Sequence, residues 1–406
     1  MRRSWLGLGF TILLGCSSRN DRPPIYQSPV GTGGSSYEVP DPIVDCGEQT
    51  VSDAGLCGNE TIQIQEDRPN LYFILDASGS MGDAISADAA QTKYEASIAA
   101  ITSVLKSIGH RVSYGAALFP SPAQDTCQPG MQILKTQPGD SVACAMAGIA
   151  GTVLTTLIRR LRAYSPAGGT PLSETLTSLV PTLTALTGKT AVILATDGAP
   201  NCNPNATCTS DLCETNLSHW QYSNGLVCDA PTNCCDPSVI TNGPLDCVDN
   251  VATNEALAQL KSASIPTYVI GLPSATTLSA VLDSMAVAGG TARETSPRYY
   301  ETDDAQSLAD TLRKIATSIA VSCTMKLSQS PPNWAQVAVY FDSAIIPALH
   351  DDSWEQVDAG TPDSIGDGWR QVDASTLQIT GAYCDELLTG DVMQVQIVSG
   401  CPTYIY

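Results

Sequence analysis

Leu71-Tyr72-Phe73-Ile74-Leu75-Asp76-Ala77-Ser78-Gly79-Ser80-Met81 decides how the rest of this 406-residue chain is read. Leu71 to Leu75 is an unbroken apolar run with polar chain on both sides, the pattern of a central strand covered on both faces. Asp76 closes the run, and Ser78 and Ser80 follow at alternate positions. Oxygen side chains spaced this way beyond a strand's carboxyl end can converge on one small divalent cation. Mg²⁺ takes about six oxygens in a near-octahedral shell and usually keeps some water, so one loop leaves room for further ligands.

Two later stretches supply them. Gly168-Gly169-Thr170-Pro171-Leu172 sets a hydroxyl where a helix N-cap is expected, with Pro171 at the first helical position. Thr190-Ala191-Val192-Ile193-Leu194-Ala195-Thr196 is a second buried strand, and it runs into Asp197. With these pieces in order, the chain resembles a von Willebrand factor A domain of the kind that carries a metal-ion-dependent adhesion site. The pattern of that family is D-x-S-x-S, then a threonine, then an aspartate. The resemblance covers residues 67–320 and falls on Asp76, Ser78, Ser80, Thr170 and Asp197. It implies that the three hydroxyls ligate Mg²⁺ while the two aspartates act directly or through water; Ca²⁺ or Mn²⁺ could use the same oxygens. The rival reading is a metal-free relic of the fold in which Asp76 and Asp197 merely cap loops.

Outward from these strands, apolar residues recur at helical spacing in Gln91 to Gly109 (Ile98, Ile101, Leu105, Ile108) and in Thr170 to Leu186. A further helix is expected from Ala145 to Tyr164, and a closing one on Leu308, Leu312, Ile315 and Ile319. Val112 to Phe119, Ile265 to Leu272 and Arg298 to Glu301 read as strands. Strands alternating with helices imply an α/β fold with a doubly wound, mostly parallel sheet, in which ligands bind beyond the carboxyl ends of the strands. Pro120 to Ser141 and a Cys-rich insertion at 199–250 interrupt the pattern. From residue 321 to 406 the period becomes that of half-buried strands (Val337, Val339, Phe341; Val395, Ile397), which predicts a small C-terminal β-sandwich.

At the start, Met1-Arg2-Arg3 precedes an apolar run from Trp5 to Gly15 that is too short to span a bilayer. Residues 1–15 read as a signal peptide, and Leu13-Leu14-Gly15-Cys16 resembles the lipobox of bacterial lipoproteins. That resemblance implies a lipid-modified Cys16, with Ser17 favouring the outer membrane of a Gram-negative cell envelope. Residues 16–66 are rich in Pro, Gly, Ser and acidic residues and read as a flexible tether.

The net charge of −21 argues against nucleic acid and against anionic membrane surfaces, because the electrostatic term would be repulsive. Fifteen cysteines exclude a reducing cytosol, and setting Cys16 aside leaves an even fourteen. Topology and parity suggest Cys57–Cys323 at the base of the α/β domain, Cys384–Cys401 within the β-domain and Cys127–Cys144 within the first insertion. A local Cys46–Cys57 bridge competes with the first of these.

The function these features imply is a surface-anchored, metal-dependent protein-binding module, in which an Asp or Glu of a partner protein fills an open metal position. A structural lipoprotein with a fold-stabilising metal is the alternative, and a metal-dependent hydrolase a further one. The sequence offers no G-x-S-x-G, H-E-x-x-H or phosphate loop. Trp220 and Tyr222, in the long insertion, are expected to be partner-binding anchors; alternatively, Trp220 packs the insertion's own core.

Overall fold

The computed structural model describes residues 46, 60–65, 68–121, 127–273, 278–349 and 366–401. The expected signal peptide, Cys16, Cys57 and most of the tether lie outside them. In chain order the first elements are β1 (Glu60–Ile62), β2 (Asn70–Asp76), α1 (Lys93–Ile108), β3 (Ser113–Phe119), β4 (Met131–Pro138), α2 (Val142–Ala147) and α3 (Thr152–Arg162). Next come α4 (Leu172–Thr184), β5 (Thr190–Thr196), α5 (Glu214–Leu217), α6 (Asn250–Ser262), β6 (Thr267–Gly271), α7 (Ser279–Gly289), β7 (Tyr300–Glu301) and α8 (Ala305–Ala320). The chain closes with β8 (Thr324–Lys326), β9 (Val337–Phe341), β10 (Ala344–Ile346), β11 (Gly368–Asp373), β12 (Thr376–Thr380), α9 (Ala382–Thr389) and β13 (Val395–Ser399).

Six strands form the central sheet in the order β4-β3-β2-β5-β6-β7. All neighbours are parallel except β4, which runs antiparallel to β3 along the edge. Every residue of β2 and of β5 is buried, as unbroken apolar runs require when helices cover both faces. On one face α1, α3 and α8 pack Ile98, Ile101, Leu105, Leu154, Leu157, Leu312 and Ile315 against the sheet. On the other, α4, α6 and α7 contribute Leu176, Leu183, Leu257, Leu260, Leu282 and Met285. The fold is the expected α/β sheet, and its strand order reverses at β2: the chain leaves for β3 on one side and returns to β5 on the other. The carboxyl ends of β2 and β5 therefore flank the crevice where open sheets of this kind place their ligands.

Local chemistry explains where the elements begin and end. Thr92 caps α1: its hydroxyl accepts from the Glu95 amide at 3.1 Å, and the Glu95 carboxylate accepts from the Thr92 amide at 2.9 Å. The helix expected over Ala145–Tyr164 is two helices, because Gly148 sits at φ +67° as the cap of α2 and Gly151 starts α3. Within the segment read as irregular, residues 131–138 form β4, whose alternation is too weak to announce a strand.

The chain outside this sheet builds a second body: an antiparallel four-stranded sheet, β1-β13-β9-β10, and a three-stranded one, β11-β12-β8. They enclose Ile62, Val337, Val339, Phe341, Trp369, Leu377, Ile379 and Ile397. The body is a β-sandwich with two departures from expectation. The helix α9 belongs to it, and β1, assigned to the tether, pairs with β13 from Glu60↔Ser399 to Ile62↔Ile397. Both flanks of the α/β sheet thus enter one small core. It sits at the amino end of the sheet, where Ser107 Oγ donates to the Gly390 carbonyl at 3.1 Å and Arg111 Nη2 donates to the Val392 carbonyl at 2.5 Å.

The disulfides differ from the pairing suggested by topology. Cys127 bonds Cys202 and Cys144 bonds Cys46, not each other. The eight residues of β4 lie between Cys127 and Cys144 and, at about 3.3 Å per residue, carry the chain roughly 26 Å from the carboxyl to the amino end of the sheet. Cys323 bonds Cys384, with alpha carbons 5.6 Å apart, so neither Cys57–Cys323 nor Cys384–Cys401 forms. The reason is α9, which the all-β reading lacked: it sets Cys384 beside Cys323 at the entry to β8. Cys401 is disulfide-bonded elsewhere. Cys46 on Cys144 likewise excludes the Cys46–Cys57 alternative. Among the described residues no helix is long and apolar enough to cross a membrane.

Candidate metal centre

Asp76 is the last residue of β2 and is fully buried. Its Oδ1 accepts from the Ser78 amide at 2.7 Å, which folds the loop back over the strand end, and its Oδ2 accepts from the Thr196 hydroxyl at 2.6 Å. A short turn over Gly79–Gly82 then carries Ser80 inward. Ser78 Oγ lies 3.3 Å from Ser80 Oγ, and Ser80 Oγ donates to Asp197 Oδ1 at 2.8 Å. Four of the five expected ligands are thus in one hydrogen-bonded set. The fifth, Thr170, is on a loop pinned to the same place by two backbone bonds, from the Gly79 amide to the Gly168 carbonyl and from the Ala167 amide to the Ala77 carbonyl, each 2.9 Å. Thr170 is buried. The helix after it starts one residue later than expected, with Pro171 as cap and Leu172 as first residue.

These donors suit a hard divalent ion: neutral hydroxyls and two carboxylates, held before any ligand arrives. Burial pushes the Asp76 carboxyl well above the usual carboxylate range, and the nearby Asp197 charge pushes it further; the Thr196 and Ser78 hydrogen bonds oppose both. Two buried carboxylates that repel in this way are what a cation would relieve.

Four residues around the set were not singled out from the sequence. Lys93, the first residue of α1, points its ammonium at Asp197 Oδ2, 2.8 Å away. Thr196 holds Asp76, as above. Asn201 clamps the Thr170 loop from both sides: its Oδ1 accepts from the Thr170 amide at 2.6 Å, and its own amide donates to the Thr170 carbonyl at 2.9 Å. Asn201 Nδ2 in turn donates to Glu214 Oε2 at 2.6 Å. Burial raises Glu214 to about 7; the Asn201 bond opposes this, and the charges of Asp246 and Asp197 add to it. A lysine opening a helix was the one legible signal, since its charge opposes the helix dipole there.

The insertion at 199–250 forms the surroundings of this end of the sheet. Cys127–Cys202 anchors its start beside Asn201. Within it, Cys208–Cys247, Cys213–Cys235 and Cys228–Cys234 cross-link a segment whose only regular helix is the four-residue α5. Its buried cluster is Cys213, Cys228, Cys234, Cys235 and Cys247, against which Tyr222 packs half-buried. Sulfurs of Cys208, Cys235 and Cys247 come close together, but all are oxidised in bridges and are no thiolate site for zinc. Trp220 is 53% exposed, and Leu217, Val227 and Val239 of the same insertion are exposed too. From residue 199 to 250 there are six acidic side chains and no lysine or arginine.

No protein-family model and no curated protein matches this chain. Solved structures do. The pilus adhesin SpaC from Lactobacillus rhamnosus GG is 17% identical, with a TM-score of 0.44 over 83% of this chain and 39% of its own, so this chain spans well under half of it. The PilB minor pilin from Streptococcus sanguinis is 16% identical, with a TM-score of 0.42 over 64% of this chain and 63% of that one. The vWF domain of the type V pili tip protein Mfa5 from Porphyromonas gingivalis is 13% identical, with a TM-score of 0.36 over 65% of this chain and 98% of that one.

Proposed function

We propose that this chain is a surface-anchored protein-binding module of the adhesion or assembly kind, whose binding centre is a divalent metal, Mg²⁺ first, held by Asp76, Ser78, Ser80, Thr170 and Asp197. The observation that carries the reading is the preformed set of oxygens at the reversal point of the sheet, linked from buried Asp76 through Ser78 and the exposed Ser80 to buried Asp197. A divalent ion there supplies an oxygen-seeking centre for an exposed Asp or Glu of the partner. The chain's own residues do the rest. Thr196 and the Ser78 amide fix the Asp76 carboxylate, and Asn201 fixes the Thr170 loop. The insertion selects among partners through exposed Trp220 and its other exposed apolar side chains, with Tyr222 supporting the loop from within. Its lack of basic residues favours a partner whose ligand carboxylate is flanked by lysine or arginine, since an acidic flank would be repelled. The lipid anchor at Cys16 and the tether hold the module at the outer membrane of the cell envelope, and no nucleic acid is involved.

We read the site as one for binding rather than catalysis, and the placement of the histidines supports that reading. His110 lies at the opposite end of the sheet, and His219 is exposed on the insertion with Nδ1 2.5 Å from Asp229. Among the described residues no histidine stands beside the set. The test is calorimetric titration of the full chain with Mg²⁺, set against Asp76→Ala, followed by capture of envelope proteins in Mg²⁺ and elution with EDTA. Metal binding lost in Asp76→Ala, and a protein released by EDTA, are the expected results. Unchanged Mg²⁺ affinity in Asp76→Ala would sink the assignment.

A further inference from the structure

Lys93 is the most buried charged side chain that the proposed function leaves without a role. Its side chain is 2% exposed, that of Asp197 is fully buried, and the ammonium stands 2.8 Å from Asp197 Oδ2. Two features make this placement costly. Taking an ammonium out of water costs several kcal/mol unless a partner compensates. Lys93 also opens α1, at the positive end of the helix dipole, so a cation there is disfavoured by the helix itself. A lysine kept against both penalties is held by the carboxylate it faces. That carboxylate divides its oxygens: Oδ2 goes to Lys93, while Oδ1 accepts from the hydroxyl of Ser80.

We infer that Lys93 is a built-in counter-cation of the metal centre, which keeps the site assembled without metal and makes the bound metal a stronger acceptor of anionic ligands. The inference rests on the metal reading above. Charge counting gives its content. Asp76 and Asp197 would neutralise one divalent ion, leaving little net attraction for a carboxylate. The ammonium of Lys93 adds one positive charge within a few ångströms, so the loaded centre is net cationic. The same charge repels the incoming ion. Lys93 therefore trades metal affinity for ligand affinity, and in the metal-free protein it takes over the neutralisation of Asp197.

The experiment uses the full chain and Lys93→Met, which keeps the length of the side chain and removes its charge. Calorimetry with Mg²⁺ alone should show the variant binding about tenfold tighter or better, because a like charge beside the ion has gone. In EDTA the variant should melt below wild type, and Mg²⁺ should raise its melting temperature by more than it raises that of wild type. Lys93→Arg should stay near wild type in both. Should Lys93→Met fail to fold in EDTA, the double variant Lys93→Met with Asp197→Asn should recover folding, since neither charge of the Lys93–Asp197 pair is then left without the other; no recovery overturns the ion-pair role. Equal or weaker Mg²⁺ affinity in folded Lys93→Met overturns the tuning role. A wild type that binds no Mg²⁺ overturns the metal reading instead, and the EDTA melting comparison still decides whether Lys93 neutralises Asp197.

Discussion

Both ends of the central sheet are covered, but by different chemistry. At the amino end, a β-sandwich core closes over the helices, and polar groups meet carbonyls: Ser107 with Gly390, Arg111 with Val392, His110 Nε2 3.1 Å from the Met393 carbonyl. At the carboxyl end, the insertion has half-cystines where a core would have leucines, and it turns Leu217, Trp220, Val227 and Val239 outward. A segment held by cross-links needs little buried area, because the bridges limit its unfolded state instead. Its side chains are then free for a partner. On the proposed function, the difference separates what holds the fold from what meets the partner, and it can be broken at chosen points.

The largest effect should come from the sheet that both ends share. Leu194 is fully buried in β5, among Tyr72, Ile74 and the apolar faces of α4 and α6. Leu194→Ala leaves a cavity that rigid neighbours only partly fill, costing about 3–4 kcal/mol. Urea denaturation followed by fluorescence measures it. A loss under about 1 kcal/mol would mean that the bridges, not the core, hold the domain.

Next in size is a break confined to the carboxyl end. Replacing Cys213 and Cys235 by serine opens a loop of 22 residues, worth about 3 kcal/mol in the loop-entropy account. Hydrogen exchange should then become fast in residues 203–247 and stay slow in β2, β5 and α1. If the strands lose protection together with the insertion, the two regions are one cooperative unit and the contrast falls.

The sheet and the loop that gathers Asp76, Ser78 and Ser80 were legible in the sequence because both are local patterns. A buried parallel strand is an apolar run, and the proposed ligand set lies in three short stretches around Asp76, Thr170 and Asp197, each at a strand or helix end. What escaped reading depends on contacts distant in sequence. The three residues of β1 carry no period, and only pairing with β13, more than three hundred residues later, makes them a strand. Disulfide partners were misjudged because β4 and α9, both missed, decide which cysteines meet. Asn201 and Glu214 looked like ordinary insertion residues, and only folding brings their chain to Thr170.

A third test uses pH, which should act on the two ends with opposite sign. His110 is lowered from 6.5 to about 4, chiefly by burial and then by the charges of Arg111 and Arg68. Between those values the unfolded chain binds the proton and the folded one does not, so stability falls as pH drops from 6.5 toward 4. At 1.36 kcal/mol per unit, reduced for partial exposure, the loss is roughly 2 kcal/mol. Glu214 at the carboxyl end is raised to about 7 by burial, so its protonation in that range adds stability to the metal-free protein. His110→Gln should therefore be less destabilised by acid than wild type in EDTA. Identical pH–stability curves for the two proteins would remove His110 from the account of the amino end.

The smallest effect on stability should accompany the largest on recognition. Trp220 is more than half exposed, and its backbone, not its ring, holds the local turn: its amide donates to the Thr215 carbonyl at 2.9 Å, and its carbonyl accepts from the Cys228 amide at 2.9 Å. Trp220→Ala keeps both bonds and the Cys228–Cys234 bridge, so thermal stability should change by less than about 0.5 kcal/mol. Tyr222 differs, since it packs on the cysteine cluster, and Tyr222→Ala should loosen the insertion as well. An exposed indole is a fit anchor for a partner, and truncating such an anchor typically costs 2 kcal/mol or more of binding. Once a partner has been captured by the EDTA-elution route, surface plasmon resonance on the two variants separates the roles. Trp220→Ala should weaken binding about thirtyfold or more at unchanged melting temperature, with Mg²⁺ affinity intact. A Trp220→Ala protein that melts early and binds its partner normally would place the indole in the insertion's own packing, and the contrast between the two ends would lose its functional half.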